Sequence, residues 1–351
     1  MSGNTFGKQF SLTTFGESHG AGLGGVVDGC PAGIPLTEAV IQAELDRRKP
    51  GQGPTSTARK EKDRVRLLSG VFEGVTTGTS IGFFIANEDQ HSKDYDKLKS
   101  VYRPGHGDIT YQAKYGLRDH RGGGRSSGRE TASRVAGGAV AAEFLRSRGI
   151  EVTAYTVEIG AIPCPRTAVD KAKDAPFNAA DPFIVPVWEE RVNQVRSDGD
   201  TLGGVVEVAA TGVPAGLGEP VMDKLDARLA YALMGIGAVK GVEIGVGFEA
   251  ARMLGSQNND PITPEGFASN NAGGILAGIS NGDAVVARVG VKPIPSIATD
   301  QQTVDADGNP ATIRVGGRHD ICAIPRIVPV VRAMTCLVLA DMVLLQEAGR
   351  R

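Results

Sequence analysis

The run PVVRAMTCLVLADMVLLQEA, residues 329–348, is the most apolar stretch of the chain. Arg332 and Asp341 interrupt it well short of the ~20 apolar residues that a bilayer span requires. The expectation is a buried amphipathic helix that opens at Pro329, a residue favoured in the first helical turn. Such a helix needs a core around it. The 351 residues are 41% hydrophobic and 22% charged, an ordinary soluble composition from which a core can form.

Other elements are legible from pattern. Residues 37–48 predict a helix capped by Thr37 and stopped before Pro50-Gly51. Leu225, Leu229, Ala232 and Leu233 fall at the spacing of one helical face. The Ala-rich segment from Arg129 to about Arg146 predicts a third helix. GGVVEVAATGVP (203–214) and DAVVARVGVKP (283–293) predict strands bounded by Gly and Pro. Strands and helices come in mixed order, so the class is α+β rather than a doubly wound fold. No repeat or linker divides the chain, and a single domain over 1–351 is expected. Within it, the Pro-, Asp- and Ala-rich stretch around 155–195 reads as a variable surface excursion.

The chain carries 48 glycines, which implies many tight turns and close backbone approaches. They are concentrated beside arginines in RGGGRSSGRE, residues 121–130. From Lys114 to Arg134 there are six basic residues against two acidic ones, a local balance of +4 in a protein of net charge −2. Ser127 and Glu130 stand at capping-box spacing, so the loop feeds a helix N-terminus, where amides and the helix dipole attract anions. The segment lacks the G-x-x-x-x-G-K-[ST] pattern, and GIGAVKG (235–241) lacks G-x-G-x-x-G.

His19 in FGESHGAG and His106 in RPGHGD both sit in glycine-rich turns, one beside Ser18 and the other near Arg103. Histidine is the side chain best suited to proton transfer near neutral pH. His91 and His120 have no such setting and read as surface residues. Arg47, Arg48 and Lys49 form a second cationic cluster at a helix end. GGRHDICAIPR (316–326) places Asp320 as a candidate base beside Arg318 and His319. The residues alone describe an enzyme-like site for a small anionic, phosphorylated substrate. A phosphotransferase is the rival enzyme reading, and an RNA-binding or scaffold protein the non-enzymatic one. The acidic net charge and 5% aromatic content count against nucleic acid.

Cys30, Cys164, Cys322 and Cys336 form no C-x-x-C pair and no zinc-ligand spacing, so no metal site is expected. They read as reduced thiols of a cytoplasmic protein. The first twenty residues show no signal-peptide pattern, and no membrane association is expected.

Ordered segments across the chain closely resemble one family. They include TTFGESHGAGLGGVVDGCPAGIPLT, DRRKPGQG, LSGVFEGVTTGTSIG, RPGHGD, GGGRSSGRETASRVAGGA, SDGDTLGGVVEV, GVPAGLGEPVMDKLDARLAYALMGIGAVKGVEIG, NNAGGILAGISNG, KPIPSI and GRHD. The chain resembles the chorismate synthases. The resemblance implies helices packed between antiparallel sheets in a β-α-β sandwich, and a homotetramer. It implies anti-1,4-elimination of phosphate from 5-enolpyruvylshikimate 3-phosphate to give chorismate, with reduced FMN required. NADPH or another reductant, through a separate flavin reductase, would supply the reduced flavin.

Carried over by position, the resemblance makes His19, supported by Ser18, the acid toward the departing phosphate. His106 would stabilise the reduced flavin, and Asp320 would assist proton removal. Arg48, Arg103, Arg129 and Arg318 would bind substrate anions, with Arg48 also implied for NADP. FMN contacts would come from Arg125, Ser126, Ser127, Gly237, Ala238, Ala277, Lys292, Pro293, Ile294, Pro295, Ser296 and Arg318. The chain departs from the family's common pattern at Pro54, where many bacterial members have arginine, and at Gly237, where Asn is usual.

Overall fold

Alternation of apolar residues along Ile81–Ala86, with Ile81, Phe83 and Ile85 buried, sets one face of a sheet against a core. The computed structural model describes residues 3–49, 62–88, 99–315 and 320–349. In it, strands β1 (Thr5–Phe6), β2 (Ser11–Gly16), β3 (Gly22–Asp28), β4 (Val65–Leu67) and β5 (Ile81–Ala86) form an antiparallel sheet in the order β1-β2-β3-β5-β4.

A second antiparallel sheet contains β6 (Glu151–Ile159), β7 (Ile162–Pro163), β8 (Gly204–Thr211), β9 (Val239–Ile244) and β10 (Val285–Val291). Its order is β9-β10-β8-β6-β7. The two runs expected as strands are β8 and β10. They pair with Val206 opposite Val289 and Val208 opposite Ala287, and these four side chains are buried on one face.

The longer helices are α1 (Glu38–Arg48), α2 (Asp108–Tyr115), α3 (Thr131–Arg146), α4 (Val185–Ser197), α5 (Leu225–Met234) and α6 (Ile324–Gly349). Helix α3 packs on β2 and β3 of the first sheet, α6 packs on β6 and β8 of the second, and α3 and α6 pack on each other. Helices α1 and α5 complete the middle layer. The architecture is therefore the expected α+β sandwich. Thr37 caps α1 through Val40 N, and Leu225, Leu229, Ala232 and Leu233 are the buried face of α5.

Three expectations need correction. Helix α6 begins at Ile324, so Pro329 lies inside it rather than at its start. Proline has no N–H for the carbonyl four residues back. That carbonyl, on Pro325, instead accepts from Asn178 Nδ2 at 3.4 Å. Second, the 155–195 stretch is not a surface excursion: β6 runs through the second sheet, and Trp188 and Val192 of α4 are fully buried. Trp188 stacks edge-on against Phe177, and its Nε1 donates to Ile162 O at 3.0 Å. Third, Ser127 and Glu130 make no capping box. Ser127 caps a short 3₁₀ turn, Gly128–Glu130, while the Glu130 carboxylate pairs with Arg134 at 2.9 Å.

By length and composition α6 resembles a membrane span, yet 89% of its most apolar stretch is buried inside the protein. The two charges that interrupt that stretch, Arg332 and Asp341, are both satisfied there. Arg332 donates to Val152 O at 2.8 Å and pairs with Glu44 at 3.1 Å. The fully buried Asp341 accepts from the main-chain amides of Lys8, Gln9 and Phe10 at 2.7–3.1 Å and from Arg228 at 3.1 Å. The two charges that break the hydrophobic run thus fasten its helix to α1, β6 and the segment leading into β2.

Candidate active site

A cleft of about 2210 Å³ opens at one end of the sandwich, where the hairpin turn between β2 and β3, the 103–107 turn, the 121–130 loop and the 292–296 segment converge. It brings together His19, Ser18, Arg48, Arg103, His106, Arg125, Ser126, Ser127, Arg129, Gly237, Ala238, Lys292, Ile294, Pro295, Ser296 and Asp320. His120, expected at the surface, also lines it.

The wall is built on buried ion pairs. Asp63 receives Arg48 Nη1 at 2.8 Å on one oxygen and Arg129 Nη1 at 2.7 Å on the other. Burial works against its charge, but the guanidiniums of Arg48 and Arg129 overcome this and hold the carboxyl below its ordinary range. Arg48 is only 1% exposed and also donates to Thr131 Oγ1 and Gly128 O. Its guanidinium faces inward, toward the base of the loop.

Arg326 sits beside this pair. Its Nη1 meets Asp320 Oδ2 at 2.5 Å. The three guanidiniums of Arg48, Arg129 and Arg326 and the two carboxylates of Asp63 and Asp320 sum to one net positive charge. That is the sign an anionic ligand needs.

Arg103 also lines the cleft. Its fork is bidentate to Asp108 at 2.8 and 2.9 Å. Burial opposes ionisation of Asp108, but Arg103 outweighs it and keeps the carboxyl below its ordinary range. Asp108 opens α2 and also accepts from Arg103 N at 3.1 Å, so one carboxylate sets both main chain and side chain of Arg103.

The two histidines are held differently. His106 Nδ1 lies 3.1 Å from Pro104 O, and a carbonyl only accepts, so this nitrogen carries hydrogen. Nε2 lies 3.0 Å from Ser296 Oγ, which donates to the neutral ring and accepts from the protonated one. His19 Nδ1 lies 3.2 Å from Ser18 Oγ. Its ring packs on Gly122, where an added Cβ would stand 2.5 Å from Cε1 and φ is +72°, so glycine is required on both counts.

The loop arginines divide their contacts. Arg125 reaches back to β2, donating to Thr14 Oγ1 at 2.8 Å and Gly16 O at 3.2 Å. Arg121 is half-exposed and closes on Asp119. Lys292 Nζ donates to Gly105 O at 2.8 Å, tying the 292–296 segment to the His106 turn.

Not every expected position joins the cleft. Pro293 does not line it. Ala277 lies in the turn joining Ile275–Leu276 to Ile279–Ser280, next to Gly278, whose carbonyl accepts from Leu225 N at the start of α5. Gly237 and Ala238 follow the other end of that helix, so α5, about 15 Å long, separates them from Ala277. Arg318, His319, Pro54 and His91 lie outside the described residues. Asp63, Asn87, Asp108 and Arg326 were not singled out from sequence, where nothing marks them apart from surface charges and amides.

The profile of the chorismate synthase family matches residues 10–344. The chain is 69% identical over 347 residues to a chorismate synthase of Maridesulfovibrio salexigens, covering 99% of each chain. It is 68% identical over 350 residues to one of Nitratidesulfovibrio vulgaris, again with 99% of each covered. A crystal structure of a chorismate synthase superposes with a TM-score of 0.78 at 35% identity, covering 97% of this chain and 93% of that one.

Proposed function

The chain belongs to the chorismate synthase family, and on that premise we propose that its cleft holds a reduced flavin and an anionic substrate side by side. The enzyme is a carbon–oxygen lyase of the shikimate pathway. It eliminates phosphate and a proton from 5-enolpyruvylshikimate 3-phosphate to give chorismate, and the family requires a reduced flavin.

The observation that carries the assignment is one cleft that combines His19, His106 and the Asp320–Arg326 pair with the Arg48–Asp63–Arg129 bridge. Phosphate departure needs preplaced positive charge and a proton donor, while ring deprotonation needs a base. At about 2210 Å³ the cleft exceeds the ~300–1,000 Å³ usual for one small ligand and has room for two.

We assign the flavin as FMN. Arg125, Ser126, Ser127, Gly237, Ala238, Lys292, Ile294, Pro295 and Ser296 would hold it. The fit rests on backbone that can be closely approached: an added Cβ at Gly237 meets nothing within 4 Å, and Ala238 holds a φ of 74° beside it. When bound, the reduced flavin supplies electron density toward the leaving phosphate and a site for the ring proton.

Arg48, Arg103 and Arg129 bind phosphate and carboxylates, with Arg48 acting through the Asp63 bridge. His19 gives a proton to the departing phosphate and Ser18 orients its ring. His106, held between Pro104 O and Ser296 Oγ, keeps a proton at Nδ1 beside the flavin. Asp320, kept in place by Arg326, takes part in removing the ring proton. A separate flavin reductase is the preferred source of reductant, with NADPH as its electron donor. The four buried free thiols suit the cytoplasm, and exposed apolar side chains such as Met222, Phe248 and Ile262 suit a homotetramer.

The test is anaerobic turnover of the enolpyruvyl substrate with chemically reduced FMN, following phosphate. Release is expected only with reduced flavin. No release under these conditions sinks the assignment.

A further inference from the structure

Asn87 follows β5 directly and faces the hairpin turn that carries His19. Its Nδ2 donates to three main-chain carbonyls of that turn: Gly20 at 2.8 Å, Glu17 at 2.9 Å and Ser18 at 3.3 Å. An amide has two hydrogens, so the longest of these bonds is shared. Its Oδ1 accepts from Arg129 Nε at 2.6 Å. The chemistry fixes the amide's orientation, because carbonyls only accept and a guanidinium only donates.

We propose that Asn87 is a positioning residue that registers His19 against Arg129 for the elimination. This rests on the reading of His19 as proton donor to the departing phosphate and of Arg129 as a substrate-binding group. Asp63 fixes Arg129 through Nη1 and Asn87 fixes it through Nε, so the guanidinium plane is set from two sides. The same amide pins the turn bearing Ser18 and His19. Donor and anion site therefore share one anchor, and neither shifts without the other. Neither near relative of Asn does this work: Asp lacks the donor half, and Gln is one methylene too long for the 2.6 Å contact.

The test is a double-mutant cycle on kcat, measured by phosphate release with reduced FMN. Asn87→Ala is expected to lower kcat at least about tenfold, because a misplacement on the order of 1 Å costs about 10²-fold. In a His19→Ala background the same change is expected to cost less than about threefold, since the group it positions is gone. Asn87→Asp keeps an acceptor for Arg129 and loses the donor half. Its defect is expected in kcat, whereas Asn87→Ala adds a rise in KM. Emission of the buried Trp188 reports the fold, and the near-isosteric Asp variant carries the test if the Ala variant does not fold. A wild-type kcat in the folded variants overturns the proposal, and so does a loss that multiplies in full with His19→Ala. A wild-type kcat in His19→Ala alone overturns instead the reading of His19 on which it rests.

Discussion

Arg326 donates to Asp320 Oδ2 through Nη1 at 2.5 Å and to the main-chain carbonyl of Arg48 through Nε at 3.3 Å. One guanidinium thus ties the candidate base to the helix end that bears the anion-binding arginine. Arg326→Met is expected to lower kcat at least about tenfold by freeing the carboxylate from its place. Asp320→Ala and His106→Ala are expected to match or exceed that loss, within the ~10²–10⁴-fold usual for a positioned acid or base. Phosphate release with reduced FMN checks all three. Wild-type rates with an intact fold reject the roles.

Asp63 gives a pH signature. Its carboxyl is held below the ordinary value by Arg48 and Arg129 against the opposing effect of burial. A depressed folded-state pKa contributes stability that is present above the unfolded value and is lost as pH falls through the folded one. Asp63→Asn leaves two buried guanidiniums without their anion, and is expected to cost about 3–5 kcal/mol near neutral pH. The gap in melting temperature between wild type and Asp63→Asn should narrow as pH falls below about 4, the ordinary carboxyl value, toward the lower folded one. A constant gap would mean that the carboxylate charge contributes nothing.

Glycine lets α3 approach α6. A Cβ at Gly138 would overlap Ala333 of α6 and its main chain, and Ala333 is itself buried. Gly138→Ala is expected to destabilise by about 1–3 kcal/mol through overpacking. A Cβ at Gly128 would meet nothing within 4 Å, so Gly128→Ala should stay within about 0.5 kcal/mol. Chemical denaturation of the pair separates steric cost from a general intolerance of alanine.

The elements that could be read from sequence are those governed by local rules. Thr37 caps α1 and the leucines of α5 face the core because cap and period act over a few residues. Where a distant partner decides, the local signal misleads. Pro329 looks like a helix start until Asn178 takes up the carbonyl it leaves free. Ser127 and Glu130 have the right spacing for a box, but Arg134 claims the carboxylate. Composition alone made 155–195 a surface stretch, yet burial of Trp188 ties it to the core.

The same holds in the cleft. The histidines and loop arginines stand out because glycine surrounds them. Asp63 and Asn87 do not, since their partner Arg129 lies 66 and 42 residues away. Ala277 shows the converse: a position implied by resemblance that the fold sets at the far end of α5.

The hold of Asp341 on the amides of Lys8, Gln9 and Phe10 spans 331–333 residues. On the ribosome, the first sheet emerges long before the helix that fastens its leading segment. Until that helix is translated, the three amides lack their anion and the inner faces of both sheets lack one of the helices that cover them. The nascent protein therefore cannot reach its native state until that helix has been made, and its dependence on protection from aggregation should persist until then.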